Sequence, residues 1–584
     1  MDQLNFEVLD DNVKRYARSE TEKFYHITEM VYSNARSEME KIVYQKKMRL
    51  AEIGDWGEAY VTVENGKNCI VVNQKHVYST ESIIIWIRGH KTIEKIAFFE
   101  TSGSDYGTLK ILENGKIVFT EVGWIHDYIF AKTDYVIKEN RKENVGEANE
   151  VTPGIYKGDE KVFYSEIQPG MGVQATVFGE RIYLVVGDNI KSSIYSGDLN
   201  EPSSWKLYKR YDSQASVISD IDGIPSVLIR NGNGKVETKV EVIDFSNPVE
   251  DVVSVSEGYL AMEMVDSKII PVLYDRRGSR RKEFKLNFPA GIIFLTSDDK
   301  RAICILSSFD RTYSIHVLEG LELRKVDENV VLDASYQEGS VNYKDIRVHY
   351  FYLKAAIDSK DTVIYGYGGF NIAIFPSFNN LFAYLLKNGV NVVVCNLPGG
   401  SEYGEEWHNL GRREKKGNVF GSFTEIIKKF NSMGHRIICY GVSNGGLLSS
   451  YTLMTVPELL TGAIIGNPVI DLMKFHKLLA GMYWVSEYGN PDEPDDAKFM
   501  EKFSPMHLIE NRKYPPSLVY TRMMDDRVHP YHALKFHEKL NETGSNSLIM
   551  VGEGGHIGST VKETTDETSR IAAFVSMVFR KEIG

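Results

Sequence analysis

The apolar positions of this chain change their spacing twice, near residue 55 and again near residue 340. Between residues 12 and 50 a run rich in helix formers, with no Gly or Pro, predicts a helical lead. From 58 to 330 the rhythm is short. Apolar runs at 59–64, 68–73, 83–89, 95–100, 116–121, 161–165, 181–187, 226–231, 259–265, 268–274, 292–297, 301–307 and 312–318 alternate with Asn, Gly, Asp and Ser. No helical period interrupts them, so an all-β array is predicted. About 270 residues at roughly 40–45 per four-stranded blade predicts a propeller of seven blades, with six as the alternative.

Beyond residue 345, strand-like runs alternate with amphipathic helical stretches, as βαβ units on a mostly parallel sheet do. Strands are expected at 362–369 (running into a loop), 390–396, 436–440, 462–466, 517–521 and 547–551. Helices are expected at 378–389 and 569–579. Another should open on a capping box of Ser422 and Glu425 and stop at Gly434. Three units follow: a helical segment at 1–55 packed on the last domain, a propeller at 56–335, and an α/β domain at 336–584.

Composition narrows the function. With 584 residues, 68 basic and 80 acidic side chains and a net charge of −12, the chain lacks the clustered cations of a nucleic-acid binder. It has no apolar stretch of membrane-spanning length, and its first residues carry no secretory pattern. Cys69, Cys304, Cys395 and Cys439 are far apart and form no ligand cluster, so reduced thiols, a cytoplasmic location, no metal and no cofactor are expected.

The strongest chemical signal is Gly441-Val442-Ser443-Asn444-Gly445, a G-x-S-x-G between a predicted strand and a predicted helix. Small flanking residues permit the sharp turn that exposes a serine Oγ, and the helix N-terminus behind it suits an oxyanion. A serine hydroxyl needs a base, and the base an orienting carboxylate. Asp525 follows the strand at 517–521 and His556 follows the strand at 547–551, in the order Ser, Asp, His; Asp526 is the alternative acid. His529, His532 and His537 read as packing or surface residues of the next helix.

Around these residues the chain resembles the prolyl oligopeptidase family of serine peptidases. The matching segments are YGYGGFNIAIFPSF (365–378), NLPGGSEYGEEWH (396–408), YGVSNGG (440–446), LMKFHKLLAGMYWVSEYG (472–489), SPMHLI (504–509), DDRVHPYHALKF (525–536) and GGHIG (554–558). The resemblance implies an α/β-hydrolase domain capped by a β-propeller, with Ser443 as nucleophile, Asp525 as orienting acid and His556 as base. It also implies an oxyanion hole from Tyr367 and the Asn444 N–H. Trp484 would stack on a proline ring, Phe370, Val469, Tyr488 and Val528 would line its pocket, and Arg527 would hold the preceding carbonyl. An ion pair of Arg527 with Asp525, Asp526 or Glu405 is the competing reading. Pro398 stands where the family usually has a basic residue. The implied activity is cleavage of short peptides after proline by a monomer. Alternatives are an acylaminoacyl peptidase or another oligopeptidase of the family, and a catalytically dead propeller scaffold.

Overall fold

Asp10 opens the molecule's first helix by accepting the backbone N–H groups of Asn12 and Val13, each at 2.9 Å. This helix, α1 (Asp11–Val43), turns Val13, Ala17, Phe24, Ala35, Met39 and Ile42 inward at three- and four-residue spacing. The computed structural model describes residues 4–43, 47–139, 153–163, 167, 171–188, 190–239 and 241–583. The helical lead is shorter than its composition suggests: α1 ends at Val43, and Lys47–Gly54 is already a propeller strand. The run expected at 161–165 is described only to Phe163, in the strand Glu160–Phe163; its last two residues lie outside the described set.

Between residues 47 and 330 the chain folds into antiparallel meanders arranged as a propeller. Five are four-stranded sheets. A sixth, of seven strands, is joined through the 14-residue strand Lys116–Ile129, whose first half pairs with Gly107–Glu113 and second half with Tyr135–Glu139. Hairpins turn at Asn65-Gly66, Asn114-Gly115 and Asp222-Gly223, where both residues have positive φ, as tight two-residue turns require. The ring closes by side chains: Met48 and Ala51 of the first sheet pack on Ile303, Ile305, Tyr313 and Ile315 of the last. Those two sheets share no ladder among the described residues.

The remaining strands are β1 (Ser335–Tyr343), β2 (Ile346–Lys354), β3 (Asp361–Tyr365), β4 (Asn391–Cys395), β5 (Arg436–Val442), β6 (Gly462–Gly466), β7 (Ser517–Arg522) and β8 (Ser547–Gly552). They form one sheet in the order β1-β2-β4-β3-β5-β6-β7-β8, parallel from β4 onward. Strands β4 and β6 are buried at every residue, which is why they read as unbroken apolar runs. Helices α2 (Asn380–Lys387), α3 (Gly417–Ser432), α4 (Asn444–Thr455), α5 (Tyr531–Glu542) and α6 (Val561–Phe579) flank the sheet. Helix α1 packs on α6 and on β8.

Two helix starts differ from the sequence reading. Helix α3 begins at Gly417, so Ser422 lies buried inside it rather than at a cap. The real capping box is Thr560 with Glu563, opening α6 eight residues before the expected start. No helix among the described residues is long and apolar enough to cross a membrane.

Candidate active site

Strand β5 runs directly into Ser443, whose φ of 59° and ψ of −116° place it at a left-handed elbow before α4. Glycine is required on both sides. A Cβ at Gly441 would lie 2.0 Å from the Gly445 carbonyl oxygen, and one at Gly445 would lie 2.6 Å from that of Gly366. The Ser443 N–H donates to Gly466 O at 2.8 Å, tying the elbow to β6. The N–H of Asn444, first in the helix, has no acceptor among the described residues. The start of α4 thus offers a donor next to a half-buried hydroxyl.

The Asn444 side chain fixes the facing loop. Its Nδ2 donates to Tyr367 O at 2.7 Å, and its Oδ1 accepts from the Tyr488 hydroxyl at 3.0 Å. Burial, reinforced by the Glu487 charge, raises the Tyr367 phenol above its ordinary value, so it stays a neutral donor. One residue on, Gly368 O accepts from Lys416 Nζ at 3.1 Å, and Lys416 also pairs with Glu487 at 2.9 Å. The second Glu487 oxygen meets His408 Nε2 at 2.9 Å. Burial alone would raise the Glu487 carboxyl, but Lys416 and His408 outweigh it and hold it down at about 2.

At the ends of β7 and β8, Asp525 Oδ2 meets His556 Nδ1 at 2.8 Å. Asp525 is fully buried, and its Oδ1 accepts from the N–H groups of Arg527 at 3.0 Å and Val528 at 2.8 Å. These bonds fix the carboxylate before it meets the imidazole. Asp526 points elsewhere: its Oδ2 accepts from the N–H of Asp105, a propeller residue, at 2.6 Å. Among the described residues no hydrogen bond joins Ser443 Oγ to His556. His529, His532 and His537 are all buried packing residues, none of them at the surface.

The aromatic residues expected to form a pocket do cluster. Phe370 packs edge-on to Trp484 at 6.3 Å and to Tyr488 at 5.5 Å, while Phe475, not singled out from the sequence, stacks parallel to Trp484 at 6.5 Å. Val469 and Val528 are buried in the same apolar cluster. Arg527 departs from all three ion-pair partners considered for it: its guanidinium pairs with Asp105, at 3.2 and 2.9 Å. A cavity of about 1040 Å³ lies between the propeller and this wall and is lined by Phe370 and Trp484 from one side and Gln174, Gln214 and Arg230 from the other.

Sequence reasoning missed Lys416, Glu487 and the propeller residue Asp105. Glu487 stood inside a quoted motif, but nothing local marks Asp105, whose partners are 421 and 422 positions away. Asp266, Glu338 and His349 stand within ligand distance of one another. Arg347 and Lys268 already pair with the two carboxylates, so this group reads as an ion-pair seam between the domains. All four cysteines are free and buried.

Known proteins resemble this chain in sequence over its last third and in fold throughout. A family profile described as the prolyl oligopeptidase family matches residues 376–582. Prolyl oligopeptidase A of Galerina marginata is 37% identical over 233 residues, which is 37% of this chain and 32% of that protein. A prolyl endopeptidase of Elizabethkingia miricola is 36% identical over 224 residues, 36% of this chain and 32% of that protein. These matches span about a third of the relatives' own length. A solved structure from a study of two prolyl endopeptidases superposes with a TM-score of 0.87 at 20% identity, covering 98% of this chain and 96% of that one, which extends the shared fold to the propeller.

Proposed function

We propose, from the premise that residues 376–582 belong to the prolyl oligopeptidase family, that this chain is a serine endopeptidase. It would hydrolyse short peptides on the carboxyl side of proline through an acyl-enzyme. The observation that carries the reading is the 2.8 Å bond between His556 and the buried Asp525, just past the ends of β7 and β8 in the same sheet whose β5 runs into the Ser443 elbow.

In this mechanism Ser443 Oγ attacks the proline carbonyl carbon and gives its proton to His556 Nε2. Asp525 holds the ring through Nδ1 and stabilises the imidazolium. The tetrahedral oxyanion accepts from the Tyr367 hydroxyl and the Asn444 N–H. The proton then passes to the leaving amine, and water attacks the acyl-enzyme by the same route. Ser443 and His556 must meet in the Michaelis complex, where such bonds tighten. Trp484, Phe370, Tyr488, Val469 and Val528 form the proline pocket, and Arg527 holds the preceding carbonyl once released from Asp105.

The propeller is read as seven-bladed, with the strand Lys116–Ile129 serving two blades. Its limits move to the first and last strands, near residues 47 and 330. Four free cysteines support a reducing, cytoplasmic setting.

The test is a chromogenic peptide panel on purified protein with Ser443→Ala as control. Proline at the cleavage position is expected to exceed Arg, Phe and a blocked N-terminal amino acid by a wide margin, with turnover lost in the variant. A panel led by another residue, or full activity in Ser443→Ala, would refute the reading.

A further inference from the structure

The chamber is lined by the cations Lys191, Arg230 and Arg412 and by the carboxylates Asp188, Asp251 and Glu487. Glu487 is satisfied by Lys416 and His408. Arg230 donates to Ser216 Oγ at 3.1 Å and Glu250 O at 3.3 Å and lies 4.0 Å from Asp251. Asp188 accepts the N–H groups of Ile190 at 2.7 Å and Lys191 at 2.9 Å.

Two cations remain. Arg412 lines the same cavity as Phe370 and Trp484, and Lys191 lines it from the propeller. Among the described residues neither side chain has a hydrogen bond or an ion pair. The contrast with the next residue is direct: Arg413 makes a two-point contact with Asp496, both bonds at 2.8 Å. Arg412 is half-buried, so its guanidinium has given up part of its water without gaining an anion.

We propose that Arg412, with Lys191 on the propeller side of the chamber, forms a carboxylate-binding subsite that selects peptides carrying an acidic side chain or a free carboxyl terminus near the cleaved proline. This rests on the peptidase reading above. A planar guanidinium fork matches a carboxylate with two parallel N–H···O bonds, and the anion an unmodified peptide offers is a carboxylate. The low-dielectric wall of Phe370 and Trp484 strengthens that attraction relative to open water. The subsite would orient the peptide as well as attract it, because Arg412 and the aromatic wall line one cavity.

The experiment uses fluorogenic peptides built on one Gly-Pro core. Glu is compared with Gln at each position flanking the proline, and a free carboxyl terminus is compared with an amidated one. Both sets are run on the parent, Arg412→Gln and Lys191→Gln. The expected result is a Glu-over-Gln, or free-over-amidated, preference of about tenfold in kcat/KM, equivalent to about 1.4 kcal/mol. The side-chain and terminus arms identify the source of the carboxylate. The preference should collapse in Arg412→Gln and shrink at high salt. Each ratio is taken within one variant, so a partly folded preparation does not distort it. Ratios within twofold in every arm, or a preference that survives Arg412→Gln, would overturn the subsite. A parent that cleaves none of the peptides would overturn the peptidase reading and the subsite together.

Discussion

Ser443 is held in a conformation that costs an ordinary residue roughly 1–3 kcal/mol, and the surrounding turn sustains it. The same precision separates two adjacent acids. Asp525 contacts the imidazole, whereas Asp526 accepts backbone N–H groups of Asp105 and, at 3.5 Å, His556. Asp525→Asn should therefore lower kcat by roughly 10³–10⁴, by spoiling the tautomer of His556, while Asp526→Asn should cost less than about tenfold. Steady-state kinetics on one proline substrate separates them, and equal losses would reject the assignment. Asp526 has a second signature. Burial, then the Asp105 charge, pushes its carboxyl from 3.8 up to about 6. The folded state therefore binds this proton more tightly than the unfolded chain. Its contribution to stability is complete below about pH 4 and is lost as pH rises through 6. Asp526→Asn cannot titrate, so its melting temperature relative to the parent should rise between pH 4 and 7; a flat difference in calorimetry would contradict this. The order Ser, Asp, His was legible because each residue follows a strand. Asp525 was preferred to Asp526 on the family resemblance, since strand order alone does not separate neighbouring acids and backbone geometry past β7 decides between them.

Among elements, the loop carrying Tyr367 and the wall carrying Tyr488 are braced by one buried ion network. Lys416 and Glu487 are 2% and 4% exposed, too dry for either to lose its partner cheaply. Lys416→Met should destabilise the fold by about 3–5 kcal/mol, because only His408 then faces the buried Glu487 carboxylate, and Lys416→Met with Glu487→Met should recover most of it, since the buried carboxylate is removed with its cation. Denaturant melts of the two variants test this, and a double variant no better than the single would show the pair is not coupled. Secondary structure was legible where burial and local signature agree, as in β4 and β6. It was misread where they part. Ser422 with Glu425 has the letters of a cap, yet Val419, Phe420 and Phe423 supply a buried stripe that starts α3 earlier. Conversely, Lys47–Gly54 follows a helix without Gly or Pro, and only its pairing with Gly57–Glu64 makes it a strand.

Across the molecule, the propeller grips the loop bearing His556. Ile557 N–H donates to Gly103 O at 3.1 Å, and a Cβ on Gly103 would come within 1.9 Å of Gly558 O. Arg527 pairs with Asp105 from the same propeller turn. Asp105→Ala should release this grip, so amide exchange across residues 552–559 should quicken several-fold while β5 stays protected. Unchanged exchange would show that the ion pair does not restrain the loop. No sequence period could announce these contacts, because they join segments more than four hundred positions apart. Val43, where α1 ends, and Val331 and Leu332, where the chain passes from the propeller to the sheet, pack in one apolar cluster that also holds Phe309. If the domains part at Asp105, that cluster is what still joins them, so a substitution within it should alter the separation and leave the residue preference at the cleaved bond unchanged.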